Sequence, residues 1–156
     1  MRRRRRREGA FTLVEIIIVL AIIALLAALA LPPTLRARLF ANEAMAVNSC
    51  RIIAASSQAY NAAAIPHSYP GNLSDLASPT SNPPYIDSVL VGATSTAASK
   101  QGYYYTYVLI DSEHFTLNAD PVTPNVTGTR YFFADESGVV RVNPSAPAAP
   151  TDSPVE

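Results

Sequence analysis

Gly9-Ala10-Phe11-Thr12-Leu13-Val14-Glu15-Ile16-Ile17-Ile18-Val19-Leu20-Ala21-Ile22-Ile23 places one carboxylate at the start of a long apolar run. Every residue from Ile16 to Leu31 is apolar, and no charged residue falls between Glu15 and Arg36. As a helix, Phe11–Leu31 extends roughly 31 Å at about 1.5 Å per residue, enough to cross a hydrocarbon core of about 30 Å. Six consecutive arginines, Arg2 to Arg7, precede the run, and only Arg36 and Arg38 follow it closely. This asymmetry puts the N-terminus in the cytoplasm and the bulk of the chain outside. A secretory signal peptide with an exit at Ala28-Leu29-Ala30 has the same outline, as does a plain anchor. Neither explains Glu15, since a carboxylate at the centre of a spanning helix costs about 2.5–3.5 kcal/mol and is normally placed for a partner. Nearer the end of the span the cost falls, and snorkelling to the interface is the simpler alternative.

The whole chain has 156 residues, 49% hydrophobic and 15% charged, with 12 Lys+Arg against 12 Asp+Glu. That length suits one domain plus an extension. The formal charge of zero hides a division. Residues 1–10 hold six Arg and one Glu, a net +5, and the remainder is acidic by the same amount. An exported chain without that leader is poorly suited to nonspecific nucleic-acid binding through phosphates. A single Cys excludes a disulfide framework and any multi-cysteine zinc site.

Phe11-Thr12-Leu13-Val14-Glu15, the basic leader before it and Pro32 after it resemble the processing site and N-terminal helix of type IV pilins and pseudopilins. The resemblance implies a prepilin peptidase that cuts on the cytoplasmic side at Ala10–Phe11 and methylates the new amine. It makes Gly9, Ala10 and Phe11 the processing residues, and Phe11, Glu15, Ala24 and Pro32 the assembly residues. Phe11 then becomes the first mature residue, Glu15 the fifth and Pro32 the twenty-second. Two departures stand out: the family usually has Gly before the cut, where Ala10 stands, and often Gly where this chain has Ala24. Alanine favours helix by about 1 kcal/mol over glycine, so Ala24–Leu31 is less prone to melt. In an assembled bundle, Glu15 of one subunit is expected to pair with the Phe11 amine of another and fix register. The implied product is a homo-oligomeric helical filament, made by inner-membrane pilus or secretion machinery from a single-pass precursor. It ends as an extracellular pilus or a periplasmic pseudopilus. The competing class is a membrane-anchored or secreted binding module.

The remaining sequence predicts an α+β fold, a long spine helix on a four-stranded antiparallel sheet, the ladle of pilins. A basic leader (1–10) precedes a helix over 11–64, of which 11–31 is transmembrane. Pro32-Pro33 is expected to kink it. Phe40, Ala44, Val47, Cys50, Ala54 and Ser57 recur at helical spacing, while Met45, Ile52, Ile53 and Tyr60 lie off that stripe. A helix apolar on more than one face needs cover on more than one side. Residues 65–101 read as a loop with one or two helical turns, and 102–143 as the sheet. Within it, Tyr103–Ile110 pairs with His114–Asn118, and Asp135-Glu136-Ser137-Gly138 turns a second hairpin. The Pro/Ala/Ser-rich stretch 144–156 reads as a disordered tail.

No constellation supports an enzyme, and no cofactor is implied. Asp111-Ser112-Glu113-His114 offers acid, nucleophile and base in name, but neighbours on a tight turn seldom assemble as a triad. His67 lacks ligand-spaced partners. Asp135, Glu136 and Gly138 could help hold Ca²⁺, but it takes six to eight oxygens and this segment alone supplies too few, so a hairpin turn is the simpler reading. Cys50 reads as a small packed residue. Tyr103, Tyr104, Tyr105, Tyr107, Tyr131, Phe132 and Phe133 suit strand packing; filament conductance is the sharper alternative.

Overall fold

The structure is a computed structural model that describes residues 11–77 and 83–155, with the side chains of residues 30–32 excepted. It divides between Arg36 and Ala37 into two compact units. The first α-helix, α1, runs Leu13–Ala63, and its helical backbone continues through both Pro32 and Pro33. The leader falls outside the described residues.

In the first unit, every described residue from Phe11 to Leu29 is exposed. The most apolar window of the helix has a mean hydropathy of 3.1 and none of it is buried. By length and composition this helix can cross a membrane.

In the second unit, the remainder of α1 buries Glu43, Ala46, Val47, Ser49, Cys50, Ile53, Ala54 and Ser57. This face is shifted from the expected stripe. Val47, Cys50, Ala54 and Ser57 are inside, but Phe40 is 65% exposed and Ala44 is also outside. Ile53 is buried and Met45 and Ile52 are exposed. The small residues Ala46, Ser49, Cys50, Ala54 and Ser57 leave room for a sheet to approach, and the polar Glu43 takes the place of an apolar anchor. Between helix and sheet come a 3₁₀ turn, Leu73–Leu76, and a short helix α2, Ser88–Gly92. Asn72 and Asp75 close the former with a reciprocal capping box. Asp87 caps the latter through the Leu90 N–H at 2.8 Å and pairs with Lys100 Nζ at 2.8 Å.

The sheet is antiparallel, with β1 Tyr103–Leu109, β2 Phe115–Pro121, β3 Tyr131–Asp135, β4 Arg141–Asn143 and β5 Ser153–Pro154 in sequential order. Alternation along the strands divides the side chains between two faces. Tyr103, Tyr105, Phe115, Leu117, Ala119, Phe132 and Ala134 join Cys50, Ile53 and Ala54 in one core. The sheet therefore has five strands where four are expected, and the fifth lies in the stretch whose composition reads as a disordered tail. Its ordering is polar. Asp152 Oδ2 accepts from the Ala149 N–H at 2.8 Å and Asn143 Nδ2 lies 3.2 Å from it. The Val155 N–H donates to the Val140 carbonyl at 2.8 Å.

Candidate assembly site

The N-terminal end of α1 is shaped by Thr12 and Glu15. The Thr12 N–H donates to Glu15 Oε2 at 2.8 Å and its hydroxyl donates to the same oxygen at 2.9 Å. In return, Thr12 Oγ1 accepts from the Glu15 N–H at 3.2 Å. This is a capping box: a threonine N-cap and a glutamate three residues later satisfy two backbone donors that the first turn leaves open. Thr12 is a site residue beyond the expected set, and the Thr-x-x-Glu spacing before an apolar run is the sequence signal for it.

The box loads one carboxylate oxygen. Glu15 Oε2 takes both Thr12 bonds, and Oε1 accepts nothing from the other described residues. Glu15 is exposed, as are Phe11, at 81%, and Ala24. Phe11 adjoins the capping threonine. Gly9 and Ala10 lie outside the described residues, as does the side chain of Pro32. The site thus combines an exposed Phe11, a carboxylate with one oxygen unpartnered among the described residues, and an uncovered helix carrying Ile16, Ile17, Leu20 and Ile23.

The candidate chemistry of the second unit resolves into structure. Asp111 and His114 do face one another, with Nδ1 2.9 Å from Oδ1, but both are exposed. The same Asp111 oxygen accepts from the Glu113 and His114 N–H groups, so the carboxylate organises the β1–β2 turn. The Asp111 hydrogen bond, followed by its charge, raises the His114 pKa above the usual 6.5. His67 Nδ1 lies 2.9 Å from the Asn61 carbonyl. Asp135 Oδ1 accepts from the Ser137 N–H at 3.0 Å, a turn arrangement. Cys50 is fully buried, and desolvation pushes its thiol up to about 12, which keeps it unreactive. A cavity of about 380 Å³ beside β1 is lined by Asn72, Leu73, Val91, Thr94 and Tyr105 among others, with no carboxylate, histidine, lysine or cysteine.

A second acidic residue of α1, Glu43, is buried and carries the connection to the sheet. Its Oε1 accepts from the Thr129 N–H at 2.8 Å and the Thr129 hydroxyl at 2.6 Å, and its Oε2 meets Arg130 Nε at 2.8 Å. Burial pushes this carboxyl up, but the Thr129 and Arg130 hydrogen bonds outweigh it and hold the pKa below the usual value. Its sequence signal is slight, an acid in the middle of a helix whose partners lie far along the chain.

No curated protein matches the sequence. The family model for the prokaryotic N-terminal methylation motif matches residues 5–31, which include the end of the leader, Phe11, the capping box and the apolar run. That match and the uncovered apolar helix that begins within it give the chain the N-terminal features of type IV pilin-like prepilins.

Proposed function

We propose that this chain is a structural subunit of a type IV pilus or pseudopilus. A prepilin peptidase cuts Ala10–Phe11 and methylates Phe11, and the subunit assembles through its apolar helix. The observation that carries the reading is the exposure of every described residue from Phe11 to Leu29, within a methylation motif. The bilayer covers that surface in the precursor, and the helices of other copies cover it in the filament. The partners are other copies, the peptidase and an inner-membrane assembly machinery. The second unit is displayed outside, and no cofactor takes part.

Glu15 gives assembly its register. Its open Oε1 accepts the Phe11 amine of a neighbouring copy while Oε2 keeps the local cap. Stranding one member of a buried ion pair costs about 3–5 kcal/mol, so the pair selects one alignment against others. The intact mass of protein extracted from membranes tests the processing step. A species beginning at methylated Phe11 is expected. One beginning at Leu31 would identify a cleaved signal peptide and overturn the reading. Glu15→Gln and Glu15→Val should both remain in the membrane yet give no filaments by electron microscopy. Normal filaments from both would remove Glu15 from assembly.

A further inference from the structure

The outer face of the sheet is not uniformly open. On β1 it is bare, with Thr106 exposed and Val108 49% exposed. Across β3 and β4 it is covered. Phe133 lies on the opposite face from Phe132 by strand alternation, pairs with Asn118 and Arg141, and stays outside the core cluster. It is nevertheless only 3% exposed. The cover is the C-terminal segment. Asn118 Nδ2 donates to the Ala148 carbonyl at 3.0 Å, Ala148 is 5% exposed, and Pro150 borders the same small cavity as Phe133.

The same segment closes the β4 edge. Its β-pairing partner there is β5, two exposed residues of which the second, Pro154, has no N–H to offer a further strand. Asp152 fastens the segment. It accepts from Ala149 N–H and Asn143 Nδ2, and its carbonyl accepts from Arg141 Nη1 at 3.1 Å. Arg141 Nε, buried and without a hydrogen-bond partner among the described residues, lies on this covered side. Beneath the segment, then, are an edge strand and a phenylalanine. An open strand edge is a template for another chain, and a second copy presents the same edge, so two can pair symmetrically.

We propose that residues 144–155 form a strap, latched by Asp152, that keeps the β4 edge and Phe133 from pairing with a second copy of this chain. This does not rest on the filament reading, because the strap and what it covers lie in the second unit. Full-length protein, a chain ending at Asn143, and Asp152→Ala are compared in detergent micelles by sedimentation and by amide exchange. Releasing the strap should tighten self-association at least tenfold relative to the full-length protein. Asp152→Ala should speed exchange of the Val155 amide by a similar factor, with association rising in step. A shortened chain that keeps its tyrosine circular dichroism and the full-length protein's association overturns the proposal. If the shortened chain loses its fold, Asp152→Ala decides. Unchanged Val155 exchange or unchanged association in that variant overturns it equally.

Discussion

The two glutamates of α1 obey opposite rules. Glu15 is exposed and satisfied by Thr12, three residues away. Glu43 is 1% exposed and satisfied by Thr129 and Arg130 at the far end of the sequence. The first arrangement is local, asks little of the rest of the fold, and leaves Oε1 without a partner among the described residues. The second uses both oxygens within the chain, so it fixes the helix against the sheet and leaves little for a partner. A carboxylate committed to the fold and one exposed at the helix start thus share a helix, separated by what surrounds them.

The sharpest way to break the Glu43 end is to disturb the residues that hold its partners. Tyr103 is fully buried and donates to the Arg130 carbonyl at 2.8 Å. A Cβ on Gly128 would lie 2.0 Å from the Tyr103 hydroxyl oxygen, a contact no rotamer adjustment of alanine relieves. Gly128→Ala must displace the ring. Overpacking costs about 1–3 kcal/mol, and the lost hydrogen bond about 0.5–1.5 more. Gly92→Ala is the control, since a Cβ there meets nothing within 4 Å. Urea midpoints should fall sharply for Gly128→Ala and hold or rise for Gly92→Ala. Equal midpoints would show that the Tyr103–Arg130 region does not hold the sheet to the helix.

Glu43→Gln tests the pair itself. Each buried donor left without its acceptor costs about 1–3 kcal/mol. Arg130, with 42% of its side chain exposed, can turn to water, so the full cost of a stranded ion does not apply. Because the folded carboxyl titrates below its ordinary 4.5, its contribution is complete above about that pH. It is lost as pH falls through the folded value. Unfolding followed between pH 3 and 7 should show wild type losing more stability on acidification than Glu43→Gln. Parallel profiles would mean that the carboxylate's charge contributes nothing.

At the other end, Thr12→Ala removes the hydroxyl's half of the capping box, keeps the residue-12 N–H to Glu15, and should cost the first turn about 0.5–2 kcal/mol. Amides from Leu13 to Ile17 should exchange several-fold faster in micelles, while the urea midpoint of the second unit stays put. A shifted midpoint would mean that the two ends of α1 are not independent.

This contrast also explains which features are legible in the sequence alone. Glu15, Phe11 and the apolar run announce themselves because their meaning is local: charge asymmetry, an unbroken hydropathic stretch and a short motif. The antiparallel hairpins were legible for the same reason, as strand-forming residues on either side of Asp111–Glu113 and Asp135–Gly138. Glu43 was not legible, since only a fold that brings Thr129 and Arg130 to the helix gives it a role. The buried face of α1 was misphased at Phe40 and Ala44 because small residues line the contact, and a stripe of alanines and serines has little hydrophobic contrast. The fifth strand was hidden by a Pro/Ala/Ser composition whose ordering depends on Asn143 and Asp152, residues that read as ordinary turn formers.

The smallest predicted effect tests whether an exposed local pair behaves as Glu15's surroundings suggest, responsive to solution conditions but nearly irrelevant to stability. Asp111 and His114 form such a pair at the β1–β2 turn, both more than half exposed. The Asp111 hydrogen bond and charge raise the His114 pKa above 6.5. A raised folded value means that the pair's contribution is complete below about pH 6.5 and disappears as pH climbs through the folded pKa. The histidine ring proton shifts, followed by NMR, should therefore titrate above the ordinary value in wild type and return towards it in Asp111→Asn. Asparagine keeps an oxygen for the Glu113 and His114 N–H groups, so the turn persists and the electrostatic part is isolated. The urea midpoint should scarcely move, as exposed ion pairs contribute little. A large loss on Asp111→Asn would instead assign the carboxylate a structural role like that of Glu43, and local satisfaction would no longer distinguish the two kinds of acid in this chain.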